Sequence, residues 1–161
     1  MIKYQEYLIG NRFVKVLVTK PEDNFRTLTP VRSLIHIPLE YKVKPSEILS
    51  VMGEPEYLLA HHHYANGHRV FLGLSINCSV KHSTTLTVKN MITGLPSNRT
   101  SYQETVLPCV QDVISHGEED NLSFEKSIFY LGKSVTTSDK INNHRVRAVT
   151  LLGGVYRAEV Y

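Results

Sequence analysis

The chain has 161 residues, of which 42% are hydrophobic and 20% charged; these values exclude an intrinsically disordered protein and fit one domain spanning residues 1–161. Its formal net charge of +3 is too small to indicate nucleic-acid binding by itself. The two cysteines, Cys78 and Cys109, are too few for a disulfide framework and too widely spaced for a Cys-x-x-Cys metal site, so we expect idle thiols.

The N-terminal part of the chain predicts a β-hairpin. Its two strands cover residues 2–9 and 12–19, and Gly10-Asn11 joins them. Glycine at the first position of a two-residue loop suits a type II′ turn. A turn and two further extended segments follow, at residues 21–24, 31–37 and 39–43.

Two segments have the pattern of a short helix. Residues 45–53 begin with a proline, contain an apolar stripe and end at Gly53, which suits a helix C-terminus. Residues 108–115 place apolar side chains at positions i, i+3 and i+4, although a strand is the alternative there. We therefore expect one or two short helices.

The clearest local signal is a hairpin over residues 57–76. Two apolar runs meet at Asn66-Gly67, and both of these residues tolerate the positive φ angles of a type I′ turn. A two-residue loop then pairs Ala65 with His68, His63 with Val70 and His61 with Leu72. This hairpin fixes which histidines share a face.

The rest of the chain also predicts strands. They cover residues 83–88, 124–131, 144–152 and 155–161, the last two joined at Gly153-Gly154, and residues 117–121 form an acidic loop. Long crossover helices are missing from the pattern, so a parallel α/β sheet is excluded. The predicted fold class is mostly β: an antiparallel barrel or sandwich built from hairpins.

Histidines crowd the central hairpin and raise the question of a metal site. Strand alternation puts His61 and His63 on one side of the predicted hairpin and His62 on the other. Two imidazoles on one face can bind a metal ion if a third ligand comes from elsewhere, and His68 does not supply it in this register. The alternative is that these rings pack against aromatic side chains or line an interface.

The central third of the chain has no carboxylate. Between Glu56 and Glu104 there is no Asp or Glu, whereas Arg69, Lys81 and Lys89 lie within this stretch. Such patterning suits a face for an acidic partner, a phosphate backbone or a like subunit; the alternative is strands rich in Ser, Thr and Asn whose polar face is uncharged.

Motifs for catalysis are weak. Gly132-Lys133-Ser134 resembles the end of a phosphate-binding loop but lacks the earlier glycine and the following helix. The acidic loop is expected to be solvated, and no Ser/His/Asp set follows from the local sequence. For nucleic acid, the nearest pattern combines Tyr64 and Arg69 with Arg145 and Arg147.

The sequence favours a non-catalytic structural or adaptor subunit of a larger assembly, of the sort found in virus particles, located in the virion or the cytoplasm without a signal peptide. The expected partners are copies of itself and neighbouring components, with no cofactor and no membrane contact; nucleic acid has weaker support. A hydrolase using a metal at His61 and His63 and a nucleic-acid-binding barrel are the alternatives. The candidate partner-binding residues are His61, His63, Tyr64, His68, Arg69, Arg145 and Arg147.

Overall fold

The computed structural model describes residues 3–20, 31–119 and 122–161, and these residues form twelve β-strands and no helix. The strands are β1 (Gln5–Ile9), β2 (Arg12–Thr19), β3 (Val31–Pro38), β4 (Ile48–Val51), β5 (Glu54–Ala65), β6 (His68–Ser75), β7 (Cys78–Lys89), β8 (Pro96–Glu119), β9 (Leu122–Leu131), β10 (Lys140–Ile141), β11 (His144–Leu152) and β12 (Val155–Val160). The described part of the chain therefore contains no helix that could cross a membrane. The predicted turn at residues 21–24 lies outside the described residues, as do Asp120 and Asn121 of the predicted acidic loop; residues 117–119 of that loop are instead the end of β8.

The strands close into two antiparallel barrels, one in each half of the chain. The first barrel has the order β1-β2-β3-β6-β5-β4, and the second has the order β7-β8-β9-β12-β11-β10. Numbered from its own first strand, each barrel has the same connectivity, 1-2-3-6-5-4. The predicted antiparallel barrel is confirmed, and the second half of the chain repeats the topology of the first without a repeat that can be read in the sequence.

Three apolar cores hold the two barrels. One fills the first barrel around Val16, Ile35 and Phe71, and another fills the second barrel around Cys109 and Leu131. The third lies between the barrels and contains Leu58, Ala60, Leu72, Leu74, Val110, Ile128, Tyr130 and Val155. Strands such as β6 are thus buried on both faces, which explains their unbroken apolar runs.

Both predicted helices are wrong. Residues 48–51 form β4, which pairs with β1 and β5 and closes the first barrel. Two adjacent residues of β4 face different cores. Leu49 points into the first barrel, and Ile48 points towards the second barrel. Residues 108–115 belong to β8. There Cys109 points into the core of the second barrel, and the adjacent Val110 points into the core between the barrels. Adjacent apolar residues that point into two cores look like a helical stripe in the sequence.

The three predicted hairpin turns are confirmed, whereas one predicted extended segment is wrong. Strands meet at Gly10-Asn11, Asn66-Gly67 and Gly153-Gly154. Asn66 and Gly67 have φ angles of 49° and 71°, as a type I′ turn requires. Residues 39–43, predicted as extended, instead form a turn and irregular chain after β3 ends at Pro38.

Candidate functional site

The histidine hairpin has the predicted register only near its turn. Ala65 pairs with His68 and His63 with Val70, but a β-bulge follows, and His61 then pairs with Phe71 instead of Leu72. Paired residues share a face, so His61 and His63 lie on opposite faces of the sheet. The predicted shared face is wrong, because the extra residue of the bulge breaks the alternation. No group of three metal-binding side chains forms among the described residues.

On the outer face of the first barrel, β3 adds a histidine that the sequence did not single out. His36 pairs with Val70 across β3 and β6, as His63 does across β5 and β6, so the two share a face. The rings of His36 and His68 are 6.5 Å apart, and Nε2 of His36 lies 2.9 Å from Oγ1 of Thr19. We call His36, His62, His63 and His68 the histidine cluster.

Burial and the neighbouring imidazoles lower the pKa of two members of this cluster, His36 and His62. Burial lowers the pKa of His36, and the nearby His68 and His63 lower it further. Burial likewise lowers the pKa of His62, with added effects of His63 and His61, and the His62 and His63 rings are 4.3 Å apart. The sequence between Glu56 and Glu104, which contains His62, His63 and His68, has no carboxylate.

The inner face of the same hairpin closes one end of the first barrel. His61 lies 6.4 Å from the Phe71 ring and 5.7 Å from the Tyr64 ring, measured between centroids. The Arg69 guanidinium lies 5.2 Å from the Tyr64 ring centre and donates a hydrogen bond to the Val43 carbonyl. These contacts give Arg69 and His61 packing roles, whereas Tyr64 stays exposed.

Arg145 and Arg147 do not join this hairpin. Both are exposed on β11, where Arg147 lies over the Tyr161 ring at 5.8 Å and Arg145 contacts the Thr137 carbonyl. The hairpin contacts β11 at its far end, where the His61 amide donates to the Gly153 carbonyl at 2.8 Å. Arg147 precedes Gly153 by six positions of extended chain, a distance of about 20 Å. The predicted basic residues thus belong to two separate surfaces.

The most exposed feature is a two-stranded ribbon that extends beyond the second barrel. It consists of residues 84–89 of β7 and 96–103 of β8, with residues 90–95 at its tip, and we call it the arm. β7 pairs with β10 only at His82 and Ser83, and β8 pairs with β9 only from Val110 onwards. Within the described chain, both edges of the arm therefore lack a third strand. Sequence analysis identified a strand here but not its projection.

The arm ends in a well-defined turn that displays apolar side chains. The Asn90 amide donates to the Leu95 carbonyl at 2.8 Å, and the Asn90 side-chain oxygen accepts from the Ile92 amide at 2.9 Å. Met91, Ile92 and Leu95 are 100%, 94% and 65% exposed. Exposed apolar residues grouped on a fixed turn are typical of a contact surface.

A cleft of about 510 Å³ lies between the two barrels. Its lining is Leu8, Ile9, Gly10, Ser46, Glu47, Ile48, Ser50, Gly53, Pro55, Leu107, Pro108, Gly132 and Lys133. Glu47 is engaged, since it accepts from the Lys44 amide at 2.8 Å and lies 3.6 Å from the Arg12 guanidinium. The described lining includes no histidine or cysteine, so it offers no nucleophile with a paired imidazole base. Its chemistry suits binding of apolar groups.

Two further pairs lie inside the second barrel. His82 Nε2 and Asp139 Oδ2 are 3.0 Å apart and buried, and Asp139 also accepts from the Thr136 amide. Cys78 and Cys109 are direct cross-strand neighbours with their sulfur atoms 3.0 Å apart. The sequence separation of the two cysteines hid this proximity, because β7 and β8 meet only in the folded barrel.

The fold and these surfaces define a class of protein: a double antiparallel β-barrel with a projecting two-stranded arm and an apolar cleft between the barrels. Comparison of the chain with protein-family models, curated proteins and solved structures finds no match. The chain's own surfaces are therefore the guide to its function.

Proposed function

We propose that this chain is a non-catalytic structural or adaptor subunit of a larger protein assembly and that the arm joins it to its neighbours. The observation that carries the proposal is the arm itself: the described side chains from Thr85 to Glu104 are exposed, on both faces of the ribbon. An isolated two-stranded hairpin is at best marginally stable in water, so a ribbon of this kind gains stability from a partner.

The edges of the arm support strand pairing as the means of attachment. An unpaired strand edge presents a row of amide and carbonyl groups that can bind another strand. Carboxylates are absent from the sequence between Glu56 and Glu104, so the arm and its tip carry no negative charge that would repel an acidic neighbour. The prediction that the assembly is a virus particle stays a prediction, as does location in the cytoplasm or virion; identifying what accompanies the chain in its native source tests both.

The experiment is to remove the arm while keeping the barrel. Thr85 and Tyr102 are directly opposite each other, so residues 86–101 can be replaced by Asn-Gly without changing the register. Light scattering with size-exclusion chromatography over a dilution series then compares this variant with the complete chain. We expect the complete chain to associate with itself or with companions from its native source and the armless variant not to.

The control variant is Leu151→Ser, which removes an exposed apolar side chain on β11, away from the arm. It should associate like the complete chain. Circular dichroism must show an intact β-fold in both variants. A complete chain that stays monomeric at every concentration and has no native companion would refute the proposal.

A further inference from the structure

We propose that the apolar tip of one copy docks in the cleft between the two barrels of a second copy. This inference rests on the proposed function and names the partner of the arm. Both halves of such a contact are present on every chain: Met91, Ile92 and Leu95 on the tip, and an apolar cleft lined by residues such as Ile48 and Leu107.

The arm cannot reach its own cleft. Leu107 of the cleft pairs with Val80 on β7, and Met91 of the tip follows eleven residues further along the same ribbon. In extended chain this is a separation of about 37 Å. Strands β7 and β8 contact each other along the arm, while β10 meets β7 at its base. A tip that docks in a cleft of this kind must therefore dock in the cleft of another molecule.

Size and charge favour a second copy of this chain as the occupant. A cleft of about 510 Å³ lies within the size range of sites that bury most of a small ligand, and it can take apolar side chains from a turn. Glu47 of the lining is already paired with Arg12, but Glu54 is exposed beside the cleft, between Gly53 and Pro55 of the lining, whereas Lys89 is exposed at the base of the tip. This arrangement sets opposite charges against each other when the apolar side chains enter.

Such a contact is head-to-tail, since the tip and the cleft are different surfaces. Repetition of a head-to-tail contact produces a ring if the rotation closes and a filament if it does not. Each copy would use its tip once and its cleft once. This makes the contact testable by complementation between two defective copies.

The tip-defective variant carries Met91→Ser, Ile92→Ser and Leu95→Ser, and the cleft-blocked variant carries Ser50→Trp. Lys133→Trp is a second blocking variant, because Lys133 is exposed at the cleft and a large side chain there does not disturb a core. We expect each variant alone to associate at least about tenfold more weakly than the complete chain. Mixed together, a tip-defective copy and a cleft-blocked copy should form a one-to-one dimer and nothing larger, measured by native mass spectrometry.

Other outcomes separate the inference from the proposed function. If the armless variant is monomeric but the two defective copies do not complement each other, the arm binds elsewhere, so the inference fails and the proposed function stands. If the tip instead binds vesicles of phosphatidylcholine and phosphatidylglycerol and the triple serine variant does not, the inference also fails. A complete chain without any self-association or native companion would overturn both. Leu151→Ser again serves as the matched control.

A different observation carries a second inference: the geometry points to Cys78 and Cys109 as a pair that forms a reversible cross-strand disulfide. The two residues are directly opposite on β7 and β8, with sulfur atoms 3.0 Å apart. Cα atoms of directly opposite residues lie about 4.5–5.5 Å apart, which is within the range that a disulfide bridges. Cys78 begins β7 directly after Asn77, so the bond would fasten the link between the barrels.

The oxidant we name is a low-molecular-weight disulfide such as glutathione disulfide. The half-buried Cys78 loses its proton and its thiolate attacks the reagent, which releases one glutathione thiol and leaves a mixed disulfide. Cys109 then loses its proton and attacks the Cys78 sulfur, which releases the second glutathione. In total the protein loses two protons and two electrons, and glutathione disulfide gains them as two molecules of glutathione.

Mass spectrometry of the intact chain tests this inference. After incubation with glutathione disulfide, the chain should lose the mass of two hydrogen atoms and both titratable thiols, and dithiothreitol should restore them. Burial raises the pKa of the Cys109 thiol, so the second step should be the slower one and should speed up as pH rises. Cys109→Ala should stop at the mixed disulfide. Two thiols that persist in the folded chain, or a wild-type mixed disulfide that does not convert to the Cys78–Cys109 disulfide even as the pH is raised, would contradict the inference.

Discussion

Among single residues, the buried pair of His82 and Asp139 has the strongest claim to a structural role. Their side chains are 4% and 7% exposed, and Asp139 also holds the turn after β9 through the Thr136 amide. Removing one partner of a buried polar pair leaves the other without compensation. The pair therefore stabilises one end of the second barrel, and no functional role is needed to explain it.

We expect Asp139→Ala to lower the free energy of unfolding by about 3 kcal/mol, because it leaves the His82 imidazole and the Thr136 amide without the carboxylate that they contact. Asp139→Asn keeps an acceptor oxygen and should lose less. Urea unfolding measures both. Ser138→Ala, at an exposed neighbouring position, is the control and should stay near wild type. Equal stabilities for Asp139→Ala and the control would contradict the assigned role.

The histidine cluster predicts a pH dependence of stability. The folded state lowers the pKa values of His36 and His62 below the ordinary value of 6.5. Below about pH 6.5 the unfolded chain thus binds more protons, so the free energy of unfolding falls as the pH drops from 7 towards 5. His36→Gln should make this fall shallower in chemical unfolding at a series of pH values. Leu151→Ser, which removes no titrating group, should leave the slope unchanged.

At this scale, the sequence predicted the turn at Asn66-Gly67 and the pairs beside it. It missed the bulge that separates His61 from His63, because the bulge depends on how β5 pairs with β6 inside a closed barrel. It missed His36 for the same kind of reason. The position of His36 beside the hairpin follows from the pairing of β3 with β6, which are distant in sequence.

Among the elements, the β5–β6 hairpin allows a test of turn chemistry free of packing effects. Gly67 has a φ angle of 71°, and no atom lies within 4 Å of the place where a Cβ would be. Gly67→Val should therefore cost about 1–2 kcal/mol through backbone strain alone. Asn66→Gly is the control, since glycine also adopts a positive φ there. Thermal and urea unfolding measure both, and a neutral Gly67→Val would show that the turn adopts another conformation.

The two wrong helix predictions have one physical cause. In β4 and β8, neighbouring apolar residues point into two different cores, so strand alternation between apolar and polar residues disappears from the sequence. A single sequence cannot distinguish a strand that is buried on both faces from a short buried helix. The difference appears only when the second barrel covers the outer face of the first.

At the scale of the whole molecule, the shared core between the barrels decides how the chain unfolds. Leu58 and Leu72 of the first barrel pack there with Val110 and Tyr130 of the second. The prediction of one domain over residues 1–161 stays a prediction, and calorimetry tests it. We expect one transition with equal calorimetric and van't Hoff enthalpies, because separating the barrels would expose this core. Two resolved transitions would mean that each barrel is a domain of its own.

The two barrels approach each other closely at Gly153, and a matched pair of glycine variants can test this contact. Gly153 and Gly10 have nearly equal φ angles, 56° and 58°, but a Cβ on Gly153 would lie 2.9 Å from the His61 carbonyl oxygen, whereas a Cβ on Gly10 meets nothing within 4 Å. Backbone strain is thus the same in Gly153→Ala and Gly10→Ala. We expect Gly153→Ala to cost at least about 1 kcal/mol more in urea unfolding, because it also pushes the barrels apart. Equal costs would argue against this contact.

The sequence by itself determined the local structure: the hairpin turns, the antiparallel strands and the lack of long helices all follow from residues close together in the chain. Closure into two barrels of equal topology, the core between them, the meeting of Cys78 with Cys109 and the projection of the arm were decided by the tertiary structure. These features depend on pairing between strands that are far apart in sequence, and a local sequence pattern does not indicate which distant strands pair. The proposed function combines the two levels, since local alternation creates the strands and the closed barrels leave the edges of the arm without a third strand in the part of the chain that the structure describes.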